Sequence, residues 1–141
     1  MFGECYNLIT VPQLNTSKVT NMEYLFGGCN SLTTVEGIDF SGLMSDPIHL
    51  FGWASENSTL THFIVNGKIN VSIPGEGNIN ILTSIDYDSV KSILAAADRT
   101  DNTNAKTLAF NRTMTDQNGE LAALVTSCTS KGWTITGLTL Q

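Results

Sequence analysis

Charge is the scarcest resource in this chain. Only 14% of its 141 residues are Asp, Glu, Lys or Arg, and seven bases against thirteen acids leave a net charge of −6. Residues 1–60 hold Lys18 as their one base beside six acids; the other six bases lie among seven acids in residues 61–141. An acidic chain with no basic stripe lacks the footprint for a phosphate backbone or an anionic lipid surface, so nucleic acid is excluded as a partner. No apolar run approaches 18 residues, which excludes a membrane-inserted helix. The opening Met-Phe-Gly-Glu-Cys-Tyr has neither a basic region nor an apolar core and does not read as a secretory signal. Three cysteines, Cys5, Cys29 and Cys128, form an odd set with no CxxC, against both a disulfide scaffold and a structural zinc site. No glycine-rich phosphate loop is present; Gly75-Glu76-Gly77 reads as a turn.

What the chain has instead is uncharged polarity. Thr, Ser and Asn number 18, 12 and 13, beside a 41% hydrophobic fraction. That fraction supports a folded core of about one domain, and the small polar side chains suit a backbone that turns often. The turning is periodic. Met1-Phe2-Gly3-Glu4-Cys5-Tyr6-Asn7-Leu8 aligns with Leu25-Phe26-Gly27-Gly28-Cys29-Asn30-Ser31-Leu32 at an offset of 24, and Val11, Leu14, Ser17 and Val19 fall on Val35, Ile38, Ser41 and Leu43. A third, degraded copy starts at Leu50-Phe51-Gly52, with an insertion in residues 53–57 that delays its leucine to Leu60. A period of 24 falls in the leucine-rich-repeat range, where each repeat supplies one short strand and a return segment. Stacking at about 4.8 Å then predicts a column of Phe2, Phe26 and Phe51 and another of Leu8, Leu32 and Leu60.

The segment Asn15-Thr16-Ser17-Lys18-Val19-Thr20-Asn21-Met22-Glu23-Tyr24-Leu25-Phe26, followed by Gly27-Gly28-Cys29-Asn30-Ser31-Leu32, resembles the BspA-type leucine-rich repeat. The likeness covers residues 1–45 well and 50–65 weakly; the third copy lacks the cysteine and the Ser-x-Val-Thr-Asn-Met segment. The resemblance implies a bacterial cell-surface, adhesin-like protein, or a phage tail protein, where related repeats occur. It implies no catalytic residues.

Beyond residue 65 the pattern is of strands and helices. Asn66-Gly67 between two apolar runs predicts a β-hairpin that extends over residues 68–73. A short strand is expected at residues 79–82. Asp86 is expected to cap a helix with Val90, Ile93, Leu94 and Ala97 on one face, and Thr115 a second with Leu121, Leu124, Val125 and Cys128, closed by Gly132. Strands are expected at residues 107–110 and 133–136. Ile81, Leu108 and Ile135 are spaced by 27, close to the first period, so residues 66–141 read as a continuation of the same parallel stack with helical return segments. The expected architecture is an α/β leucine-rich-repeat-like solenoid: repeats over 1–65, a capping region over 66–141 with the hairpin and two helices, all in one domain.

Chemistry is thinly signalled. Cys5 and Cys29 are expected as a buried thiol column and Cys128 as helix core. His49 and His62 offer no thiol a base, and thirteen residues apart they read as surface histidines rather than metal ligands. Asp86 and Asp88 are explained by capping and the helix dipole. Asp98, Asp101, Asn102 and Asn104 lack the spacing and distal glutamate of a calcium loop and read as a polar turn. The expected role is therefore non-catalytic recognition of a protein or glycan, with no cofactor and no metal, outside the cell or in a virion, as part of a longer chain or assembly. A purely structural cap without ligand is the rival. Strand geometry selects the outward positions two and four after each repeat leucine, Thr10, Pro12, Thr34, Glu36, His62 and Ile64, as the binding face.

Overall fold

The computed structural model describes residues 2–44, 50, 59–72, 84–100 and 106–141. Strands β1 (Thr10–Val11), β2 (Thr34–Asp39) and β3 (His62–Asn66) form one parallel sheet in chain order. Strands β4 (Thr107–Met114) and β5 (Thr134–Leu140) form a second parallel sheet, with helices α1 (Tyr87–Asp98) and α2 (Glu120–Ser130) between and beside them. The chain is thus a mixed α/β domain with, among the described residues, parallel sheets, two helices and no closed barrel.

The 24-residue period is a structural register. Thr10 pairs with Thr34 and Val11 with Val35. The turns that precede the two strands match bond for bond: Cys5 N donates to Phe2 O as Cys29 N does to Phe26 O, and Leu8 N to Cys5 O as Leu32 N to Cys29 O. Glu4 and Gly28, again 24 apart, both adopt left-handed backbone, with φ of 62° and 78°. Only the second copy has the residue that takes this conformation without strain. The return segments nest as closely, for a Cβ on Gly42 would come 2.6 Å from the Ser17 carbonyl oxygen. From β2 to β3 the offset becomes 28, with Thr34 opposite His62 and Val35 opposite Phe63. Leu50 is buried, and the Phe26 amide donates to its carbonyl. Phe51, the proposed insertion at residues 53–57 and His49 lie outside the described residues.

Three expectations change beyond β3. The hairpin does not form: β3 pairs in parallel with β2, and residues 68–72 take no strand. Gly67 (φ 70°) passes so close to the Asp39 carboxylate that a Cβ there would overlap it. The Lys68 amide then bonds Ser41 Oγ, and the Ile69 amide the Ala96 carbonyl. Nor, among the described residues, does the first sheet run on into the second. The outer amides of Phe63 and Val65 donate to Ser89 Oγ (2.7 Å) and Ser92 Oγ (3.0 Å), so α1 occupies the edge where a fourth strand would pair. The strand expected at 79–82 lies outside the described residues. Finally, α2 starts later than Thr115. Asn118 and Gly119 are both left-handed, and the carboxylate of Asp116 accepts from the amides of Leu121 and Ala122 in its place.

Elsewhere the patterns hold. Asp86 caps α1 through the Ser89 amide, and Val90, Ile93, Leu94 and Ala97 are buried. On α2, Leu121 and Cys128 are buried whereas Leu124 and Val125 are only half covered. The spacing of 27 is the true register of the second sheet, where Leu108 pairs with Ile135. Gly132 follows α2 with φ 90°.

The two columns are graded by their place in the stack. Phe2 stacks on Phe26 at 5.8 Å between ring centroids. Phe26, Leu32 and Leu60 are fully buried; Phe2 and Leu8 are only partly so. The same end effect overturns the buried thiol pair. Cys29 is buried and donates to the Phe2 carbonyl, but Cys5 is exposed, because among the described residues nothing lies outside the first turn. Tyr6 and Ile9 beside it are more than half exposed.

Truncation of Phe26 to Ala is therefore expected to cost roughly 3–5 kcal/mol, and of Phe2 about 1 kcal/mol, in denaturant unfolding. Equal losses would deny the stacked register. Thiol titration should label Cys5 rapidly in the native state and Cys29 and Cys128 only on unfolding.

Candidate functional site

Alternation along the first sheet sorts its residues into two faces. Val11, Val35 and Phe63 point into the core and are buried. Thr10, Thr34 and His62 stand in one cross-strand row on the other face, Thr10 exposed and the other two half buried. The outward row predicted from the repeat leucines is thus present at its first position. Four residues after each leucine it is not. A β-bulge sets Glu36 and Gly37 together against Ile64, so Glu36, Ile64 and Pro12 do not form a second aligned row. Glu36 is exposed, Ile64 is half buried, and Pro12 lies past the end of β1.

The bulge swings Glu36 toward His62. Its Oε2 is 4.0 Å from His62 Nε2, while His62 Nδ1 lies 2.7 Å from Asp86 Oδ2. Asp86 in turn accepts from the Ser89 amide (2.9 Å) and the Ser89 hydroxyl (2.5 Å) through its other oxygen. The Asp86 amide donates to the Thr61 carbonyl. One imidazole therefore bridges a carboxylate on β2 and the N-cap of α1. Partial burial alone would raise the Asp86 carboxyl, but the Ser89 hydroxyl, the His62 imidazole and the Ser89 amide outweigh it and hold the group below its ordinary value of 3.8. Asp86 is accordingly ionised at neutral pH, and the ring nitrogen facing it must carry the proton.

The presence of Ser, His and Asp invites comparison with a catalytic triad, and the connectivity differs from one. Ser89 is fully buried, gives its proton to Asp86 and accepts from the Phe63 amide. It faces the carboxylate, not the imidazole, so Ser89 is not a hydroxyl that the histidine could activate. The thiols are placed no better. Burial raises Cys29, and it pushes Cys128, which donates to the Leu94 carbonyl, up to about 11. Among the described residues no group of three His, Cys, Asp or Glu side chains could hold a metal ion. Asp98 holds Lys131 Nζ at 3.0 Å, while Asp101, Asn102 and Asn104 lie outside the described residues.

His62 is therefore more than a surface histidine, and Asp86 more than a cap. A signal for their pairing was present: Asp86 follows His62 by 24 residues, the spacing that sets Thr10 against Thr34. Glu36 could not be placed beside them from spacing, because the bulge that turns it depends on packing. Asp88 sits in the first turn of α1, as expected of a dipole partner. In comparisons with family models, curated proteins and solved structures, the chain matches none.

Because the folded-state carboxyl of Asp86 is depressed, its stabilising contribution is present above about pH 4 and is lost as pH falls through its lowered folded value. Denaturant unfolding across pH 2–6 should show this loss in the parent chain and a flatter profile in Asp86→Asn. Ser89→Ala, which strands the buried Phe63 amide, is expected to cost about 1–3 kcal/mol at pH 7.

Proposed function

We propose that this chain is a non-catalytic recognition module, built as a short leucine-rich-repeat solenoid of BspA type and displayed on a bacterial surface. The observation that carries this reading is the row Thr10, Thr34, His62, set outward by a repeat whose inward partners form the core. A solenoid that repeats its backbone repeats its surface, and so offers a ligand evenly spaced contacts about 4.8 Å apart. Threonine hydroxyls both donate and accept, which suits the hydroxyl groups of a glycan or the main chain of a protein. Glu36 and His62 add an acceptor and a titratable ring at one end of the row, with Ile64 as an apolar neighbour.

The test is binding of the purified chain to a glycan array and to a panel of immobilised extracellular-matrix proteins, beside Thr34→Lys. Thr34 is at the centre of the row and half exposed, so the substitution should leave the unfolding midpoint nearly unchanged. Selective binding by the parent, weakened at least tenfold by Thr34→Lys, supports the reading. No binding on either panel, or binding indifferent to the substitution, removes it in favour of a structural cap.

A further inference from the structure

We propose that His62 is a proton-operated catch for Glu36: a proton on Nε2 draws the Glu36 carboxylate in from 4.0 Å, and loss of that proton releases it. The catch stands on the geometry of the joint. Only what it regulates, the acceptor that Glu36 offers on the outward face, rests on the recognition reading. The two ring nitrogens are placed differently. Nδ1 lies 2.7 Å from Asp86 Oδ2, and an ionised carboxylate can only accept. That bond keeps a proton on Nδ1 whether the ring is neutral or charged. The proton gained or lost as the ring titrates is therefore the one on Nε2, the nitrogen that faces Glu36.

The contact at Nε2 changes character with that proton. With it, an N–H of a positive ring faces the carboxylate, and attraction closes the gap toward the roughly 2.8 Å of a charge-assisted hydrogen bond. Without it, a bare lone pair faces the same carboxylate and nothing bonds the two. Glu36 is placed to make this movement. Its side chain is 52% exposed, and it stands in the bulge where the pairing of β2 with β3 is interrupted. Asp86, in contrast, is anchored by the Ser89 amide and hydroxyl. The imidazole thus has one fixed partner and one movable one.

The charged groups on the elements that flank the ring leave this contact its own. β2 brings Glu36, beside the uncharged Thr34 opposite His62; its other acid, Asp39, accepts from the Ser41 amide. α1 brings Asp86 at its cap and Asp88 in its first turn. Lys91, the next base along α1, is held by Glu120 at 2.7 Å. An imidazole ordinarily changes charge between about pH 5 and 8, a range in which ordinary carboxylates stay ionised. Mild acidification therefore closes the catch and ties the β2 bulge through His62 to the cap of α1. Mild alkali frees the Glu36 carboxylate on the outward face.

The experiment is NMR of the purified chain at about pH 5.5 and about pH 8.5, on either side of an ordinary imidazole titration. It needs no ligand, so failure to bind a glycan or a matrix protein leaves its result standing. At the higher pH the ring nitrogen shifts should show the Nδ1–H tautomer of His62. Cross-peaks from His62 Hε1 and Hδ2 to the Glu36 Hγ protons should strengthen about threefold at the lower pH. In Glu36→Gln, which removes the charge at an exposed position, that strengthening should vanish. If the variant fails to fold, the tautomer and the cross-peaks of the parent chain still decide. The Nε2–H tautomer at the higher pH, cross-peaks of equal intensity at both, or a strengthening that persists in Glu36→Gln overturns the proposal.

Discussion

Main-chain hydrogen bonding from one turn of the chain to the next is the constraint on which the N-terminal half depends. The amides of Phe2 and Glu4 donate to the carbonyls of Leu25 and Gly27, Leu14 to Gly37, and Met44 to Thr20. Such bonds require each turn to keep the path of its neighbour, because a displaced backbone would bury unpaired polar groups. A shared path in turn requires the same residue type at the same step. This explains why Phe, Cys and Leu recur at 24 and why Gly42 stands where Ser17 and Val19 approach most closely. The side-chain columns fill the space that the backbone ladder defines. Thr16 adds a direct staple, donating to the Asp39 carbonyl and accepting from the Asp39 amide.

A stacked backbone of this kind has ends, and the chain treats its ends differently. Among the described residues nothing covers the first turn, and Cys5 and Ile9 are exposed although Cys29 is buried and Thr33 half buried one repeat later. The β3 end is closed by a helix. Ser89 and Ser92 lie three residues apart on α1 and meet amides two apart on the strand, so two hydroxyls replace the carbonyls of a missing neighbour. Ser89 also donates to Asp86, which holds His62; the joint that stops the sheet is the same one that orients the histidine in the outward row. Structure and candidate site are therefore coupled at β3. The three residues His62, Asp86 and Ser89 cannot be altered one at a time without touching both.

Much of this was legible in the residues. Exact repetition at 24 gave the pairing of Thr10 with Thr34, and the spacing of 27 gave Leu108 opposite Ile135, because parallel strands in successive repeats inherit the repeat length as their register. Apolar spacing and a capping aspartate gave α1, since both act within a few residues. The failures share one cause. Asn66-Gly67 carries a strong local hairpin preference, yet the returning strand would have had to compete with Ser41 and Ala96 for the amides of Lys68 and Ile69. Thr115 is as good a cap as Asp116 by residue type, and two left-handed residues decided between them.

The sequence by itself determined which residues are equivalent: a period is a property of order along the chain, and hydrophobic columns, inward faces and the Thr10, Thr34, His62 row follow from it. Only the tertiary structure decided what stands at each boundary. It exposed Cys5 and buried Cys29, put α1 rather than a strand against β3, and turned Glu36 through a bulge toward an imidazole already held by Asp86. Burial and long-range hydrogen bonds depend on what lies next to a residue in space, and equivalence along the chain does not specify the neighbours of the first and last members of a stack.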